Sequence, residues 1–188
     1  MPHQWPHIQD ELSGAQLLRD GAVLCGVAGT LVLCSLSYNP EIWLQDYPPD
    51  VRAQYGPPRR PGTRRQQVLV AGPLLGFVLL WPLRSTLRRR AANGGRLSFP
   101  AALLHAAGLL GVFNLFDALV LDYLILTRLQ PRFAILPGTE GLAGYQDLGL
   151  QARAFLRGHL FVLLGGLIIA WVTHRPLPDP PADGGGES

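Results

Sequence analysis

The residues best suited to chemistry stand in Phe113-Asn114-Leu115-Phe116-Asp117-Ala118-Leu119-Val120-Leu121-Asp122-Tyr123, where two carboxylates interrupt an apolar run. An aspartate near the centre of a membrane helix costs about 2.5 to 3.5 kcal/mol on insertion scales, so it must pair, take up a proton or line a wet cavity. Asp117 falls about four residues, roughly 6 Å, past the midpoint of its run and Asp122 nearer the end, which gives Asp117 the stronger claim. At ~100° per residue, Asn114, Asp117 and Asp122 share an arc of about 140°. That face can meet the following loop and the start of the last helix, where Arg153, Arg157 and His159 stand at helical spacing.

Two roles follow for the carboxylates. They can pair with Arg157, Arg153 or Arg132 and fix the packing of two helices. Alternatively Asp117 or Asp122 serves as a proton carrier, cation ligand or general acid, with Asn114, Arg132, Glu140, Arg153, Arg157 and His159 as candidates for holding a substrate. Asp117, Asp122, Glu140, Asp147 and His159 lack the His-x-x-x-His or clustered Cys/His spacing of a metal site, so neither a metal nor another cofactor is expected. Gly138, Gly141 and Gly144 with Thr139 could form an anion-holding nest with Arg132 or Arg153, but a tight turn over the bundle mouth is the simpler expectation. For His105 and His159 the expectation is interfacial hydrogen bonding.

Positioning these groups falls to four apolar blocks, roughly 17–36, 68–83, 101–126 and 160–172 of the 188 residues. A bilayer core needs about 20 residues per helix, so the third block is generous, while the second and fourth need interfacial residues, tilt or thinning. A soluble fold would have to bury blocks that are apolar around their whole circumference inside a chain too small to surround them. The expected fold is therefore all-α: a polytopic membrane bundle of about four helices at 17–172, with two structured interfacial loops. A polar N-terminal tail (1–16), in which Ile8 to Leu12 could form a short interfacial helix, and a disordered C-terminal tail (173–188) flank it. Asp10, Glu11 and Asp20 make the start a poor signal-peptide n-region, and Cys34-Ser35-Leu36-Ser37 a poor cleavage site.

The first loop, 37–67, opens with Asn39-Pro40-Glu41-Ile42-Trp43-Leu44-Gln45-Asp46-Tyr47-Pro48-Pro49-Asp50 and has the composition of a built element. Trp43, Tyr47 and Tyr55 are expected at the headgroup zone, with Asp50 capping a short helix through Tyr55. The second loop sets Arg84, Arg88, Arg89, Arg90 and Arg96 around an Asn93-Gly94-Gly95 turn, as solvated anchors. Gly72 and Gly76, Ala107 and Gly111, and Gly165 and Gly166 are small enough for close helix approach.

All 16 basic residues are arginine and the net charge is +3, spread over both faces. This fits anchoring at anionic headgroups in a bacterial inner membrane, with a GC-rich coding bias, and not a nucleic-acid surface. The arginines divide seven to nine between the two sides, which leaves orientation open. Cys25 and Cys34 lie nine residues apart, on opposite faces of one helix, and cannot bridge.

Three segments, Pro40 to Pro48, Phe113 to Asp122 and Pro131-Arg132-Phe133 through Pro137-Gly138-Thr139-Glu140-Gly141, resemble an uncharacterised family of small bacterial four-helix integral membrane proteins. The likeness runs from about Tyr38 to Val172 and implies topology alone. With four spans, loops one and three share a membrane face with the end of the third span, so a polar chamber is expected there. Three functions fit: a structural, binding or assembly protein that partners the bilayer and a second copy or another membrane protein; a small enzyme acting on a lipid-like substrate; or a proton or ion carrier using Asp117.

Overall fold

The computed structural model describes residues 11–174. The proposed interfacial helix up to Asp10 and the C-terminal tail from Arg175 lie outside the described residues. All regular structure described is helical, and four helices are long and apolar enough to cross a membrane: Gly14–Tyr38, Thr63–Ala92, Phe99–Leu129 and Leu148–Thr173. The protein is an all-α, four-span membrane bundle.

The second and fourth spans are longer than their apolar blocks, 30 and 26 residues, so neither needs a thinned bilayer. Arg64 and Arg65 at one end and Arg84 to Arg90 at the other continue the second helix, because arginine is a good helix former whose long stem carries its charge out to the interface. Local chemistry sets the ends. Ser13, Ser98 and Asp147 cap the first, third and fourth spans by accepting from Gln16, Ala101 and Leu150 N–H groups. Asn93-Gly94-Gly95 ends the second, with both glycines at positive φ.

The third span is the axis of the bundle and packs against the other three, whereas the first and fourth scarcely meet. Leu24, Ala28, Val78, Leu109, Leu110, Val162 and Ile169 form the core between them. Lipid tails are as apolar as these side chains, so close contact and buried polar bonds, not hydrophobic burial, hold spans together. Hence the importance of small residues: a Cβ on Gly166 would sit 3.0 Å from Ala107 Cβ and 3.3 Å from its Cα, and one on Gly165 would sit 2.9 Å from Leu110. Gly72 and Gly76, by contrast, face open space and take no part in packing within the chain.

A matched pair of substitutions reads this difference. A Cβ on Gly158 would lie 1.9 Å from Asn114 Oδ1, so Gly158→Ala is expected to destabilise the bundle by about 1–3 kcal/mol through overpacking. Gly72→Ala, in open helix, is expected to be neutral or to stabilise by up to about 1 kcal/mol. Thermal unfolding in detergent measures both; equal effects would mean that Asn114 does not rest on the Gly158 backbone.

Candidate functional site

At Asp117 the third span changes from α-helix, Phe99–Phe116, to π-helix, Asp117–Leu129. The bonds Thr127 Oγ1 to Asp122 O (3.1 Å) and Gln130 N to Ile125 O (2.9 Å) keep the five-residue register of that winding. π-Helix is rare and normally a single turn, found at functional sites. In it, residues five apart come round almost to the same side, so Asp117 and Asp122, about 140° apart on an α-helix, turn toward one wall. Gln130 ends the segment in the left-handed region at φ +43, and Pro131, which lacks a backbone N–H, prevents the helix from continuing.

The π segment keeps its packing on the fourth span and on loop three, and has little contact with the first and second spans. The resulting gap is a cavity of about 770 Å³. Much of its lining is apolar: Val32, Leu33 and Leu36 from the first span, Leu74 from the second, Phe113, Leu121 and Ile125 from the third, and Leu150 and Ala154 from the fourth. Among these stand Asp117, Asp122 and Arg157, and from loop one Trp43, Gln45, Asp46 and Arg52.

The pairing of Asp117 and Asp122 with arginine is not formed. Among the described residues no basic nitrogen lies within 4.0 Å of either carboxylate, and Arg153 instead meets Asp147, at 4.0 Å. Among the described residues neither carboxylate is hydrogen-bonded, and Arg157, which lines the cavity, has no partner. Asp46, Asp117 and Asp122 are close enough for their charges to repel one another. Asp46 lines the cavity and keeps solvent contact; partial desolvation by the protein around it pushes its carboxyl above the usual range, and the Arg52 guanidinium offsets it in part. Arg52 reaches Gln45 at 3.5 Å, while its Nε is buried without a partner.

Of the other sequence candidates, Asn114 Nδ2 donates to the Phe155 carbonyl (3.3 Å) and to His159 Nδ1 (3.1 Å), joining the third and fourth spans outside the cavity lining. Arg132 and Glu140 are exposed on loop three. The glycine nest is not free for an anion: Gly138 N–H already donates to the Glu140 carboxylate (2.9 Å), and Gly138 and Gly141 make turns at φ +83 and +78. Among the described residues, no three His, Cys, Asp or Glu come together to hold a metal ion.

Loops one and three form a roof. Tyr47, Tyr55 and Tyr145 are buried with Leu44, Val51 and Leu136, so Tyr47 and Tyr55 are core residues of the roof and not headgroup anchors. Tyr47 donates to the Ala134 carbonyl (2.7 Å) and stacks edge-on against Tyr145. Trp43 donates to Ser35 Oγ (2.8 Å). Thr139 gives its proton to the Leu136 carbonyl (2.7 Å) and accepts from Tyr145 OH (2.9 Å). Asp50 is not the cap of helix Pro49–Tyr55, whose cap position is Pro48; it lies inside the first turn and accepts from Gly144 N–H across the roof (2.8 Å). A Cβ on Gly144 would stand 2.0 Å from Asp50 Oδ1 and 2.6 Å from Pro48 Cβ. Gly144→Ala is therefore expected to part the loops, accelerating limited proteolysis of loop three about tenfold, a local opening easier by roughly 1.4 kcal/mol. Unchanged cleavage would show that the bond to Asp50 does not close the roof.

The roof is tied to the bundle by Glu41, 4 % exposed. Its carboxylate accepts from Tyr55 OH (2.5 Å), the backbone N–H groups of Arg59 (3.1 Å) and Arg60 (2.9 Å), and Thr63 Oγ1 (3.1 Å). Burial alone would push this carboxyl up, but the bonds from Tyr55, Arg60, Thr63 and Arg59 outweigh it and hold the group below its ordinary range. Burial and the adjacent carboxylate push Tyr55 up to about 12.

A second polar cluster pins the opposite end of the bundle. Asp20, Ser85 and His105 are all buried, so His105 is not interfacial. Ser85 Oγ donates to Asp20 Oδ2 (2.6 Å) and meets His105 Nε2 at 2.9 Å, while Arg88 and Arg19 reach the same carboxylate at 3.1 and 3.2 Å. With the serine proton on Asp20, His105 donates through Nε2 and leaves Nδ1 a bare acceptor, which is buried without a partner. Serine occupies the middle of this chain and is sealed from solvent, unlike a nucleophile activated by an oriented histidine. Arg89 reaches the Glu11 and Leu12 carbonyls and Arg90 the Gly95 carbonyl, so this arginine block is bound into the bundle end and is not simply solvated.

The sequence expectations missed Asp46 and Arg52 at the cavity and the Asp20–Ser85–His105 contact. One signal was present for the second: Asp20 and His105, each an ionisable group in an apolar block, must find partners in hydrocarbon. Comparison with protein-family profiles, curated proteins and solved structures finds no match to this chain.

Proposed function

We propose that this protein binds a membrane amphiphile in the cavity beneath the loop one and loop three roof, as a multi-pass protein of the bacterial plasma membrane and a member of the small four-helix family it resembles. One observation carries this: Asp117, Asp122 and Arg157 line the same cavity as a set of apolar side chains and are unpaired with one another. Groups that served only to lock two helices would be in contact. A volume of about 770 Å³ is in the range of ligand pockets, which join a mostly apolar lining to a few oriented polar groups. The apolar lining suits an acyl chain, and the charged groups a headgroup.

Ion or proton carriage by a single chain has less support. Beneath the cavity Leu24, Ala28, Leu109 and Leu110 close the core completely, so the carboxylates communicate with one face only. Catalysis on the bound amphiphile, with Asp117 or Asp122 as acid or base, is compatible with the same occupancy.

The cavity-filling variant Ala154→Trp tests the proposal. Lipid that stays with the purified protein through repeated detergent exchange is expected at about one molecule per chain in the parent and to fall at least about tenfold in the variant, as loss of a site occluded by a bulky ring. Retention unaffected by the filled cavity would place the lipid elsewhere.

A further inference from the structure

We infer that the headgroup recognised in this cavity is zwitterionic, with a primary ammonium set against the carboxylates and a phosphate against the guanidinium groups, as in an aminophospholipid. The inference rests on the amphiphile-binding proposal and names its ligand class. Asp46, Asp117 and Asp122 bring three carboxylates to the cavity, and Arg52 and Arg157 bring two guanidinium groups. A purely anionic head would satisfy the arginines but add to the repulsion among the carboxylates. A purely cationic head would leave Arg157 unpaired. A head with both charges gives each set a partner of opposite sign.

Hydrogen-bonding capacity narrows the cation further. Carboxylate oxygens on Asp117 and Asp122 have no donor in the described structure, and a primary ammonium offers three N–H donors. A quaternary ammonium offers none and is instead recognised by an aromatic cage. Four rings line the cavity, but Tyr47 and Tyr145 are stacked edge-on in the roof cluster, Trp43 packs on that cluster and bonds to Ser35, and Phe113 packs on the bundle core, so they do not stand free as a cage. Arg157 and Arg52 supply the planar donors suited to phosphate oxygens. A single geometry thus accounts for acids and bases that share a cavity without pairing.

The test uses the full chain reconstituted in vesicles containing equal parts of phosphatidylethanolamine, phosphatidylcholine and phosphatidylglycerol, followed by gentle detergent transfer and native mass spectrometry of the lipid retained. Parent protein is expected to retain phosphatidylethanolamine over either competitor by about tenfold, the ratio one additional charge-assisted contact supplies. Asp117→Asn with Asp122→Asn should erase the preference over phosphatidylcholine, and Arg157→Gln should weaken retention of all three lipids without restoring the order. These substitutions keep side-chain shape or length, and the parent's unfolding temperature in each confirms a folded comparison. Equal retention of the three lipids, or a preference for phosphatidylglycerol, would overturn the zwitterionic head while leaving amphiphile binding intact. Retention of no lipid by the parent would overturn the binding proposal itself.

Discussion

Replacing Asp20 by alanine is expected to cost the bundle about 3–5 kcal/mol, the penalty for removing one partner of a buried charge network. Asp20 is 1 % exposed and is the shared acceptor for Ser85, Arg88 and Arg19, so its loss strands Arg88 against Trp81 and leaves the Ser85–His105 pair without an anchor. The first three spans meet there, and no hydrophobic force in lipid replaces the lost bonds. Thermal unfolding in detergent gives the size of the effect. Asp20→Ala combined with Arg88→Leu should recover part of it, because the second change removes the stranded charge. An Asp20→Ala protein within about 1 kcal/mol of the parent would show that the spans are held by packing alone.

Glu41→Gln is expected to be nearly as damaging, at about 2–4 kcal/mol, but locally. An amide in place of the carboxylate would direct an N–H₂ toward the Arg59 and Arg60 N–H groups, setting donors against donors. Amide exchange at Arg59, Arg60 and Thr63 should accelerate while the core of the third span stays protected. Acid should imitate the substitution. Glu41 is held below its ordinary value of 4.5, so its contribution is complete above that pH and is lost as pH falls through the lowered folded value. Tyr55 works in the other direction: raised from 10.0 to about 12, it stabilises below pH 10 and lets go as pH climbs toward 12. Roof stability independent of pH between 2 and 5 would contradict a charged Glu41 clasp.

Four spans, their order and the shared face of loops one and three were legible because membrane helices advertise themselves by apolar length. Helix ends were less so: arginine is tolerated in a helix beyond the hydrocarbon, and hydropathy cannot see where Thr63–Ala92 stops. Asp117 and Asp122 were visible as intramembrane charges, yet their partners were misjudged. Helical spacing brings Arg153 and Arg157 near the same face in an α-helix, but the π winding from Asp117 onward rotates that face and opens a gap. A change of helical winding leaves no mark in an apolar pattern that lacks proline or glycine, and Asp117 to Leu129 contains neither. Asp46 and Arg52 were hidden for a different reason: their place at the cavity depends on the Glu41 and Asp50 contacts, which join residues 18 to 94 positions apart. Tyr47 and Tyr55 had the composition of an aromatic belt, and long-range contacts alone distinguish a belt from a buried roof.

The most direct measurement is a density map of the full-length protein in a lipid nanodisc, at a resolution that separates side chains. It should show elongated non-protein density filling the cavity, with its broad end between Asp117, Asp122 and Arg157 and its tail against the apolar side chains of the lining. A closed cavity in which Arg157 has swung across to pair with Asp117 or Asp122 would contradict the account and return both carboxylates to a purely structural role.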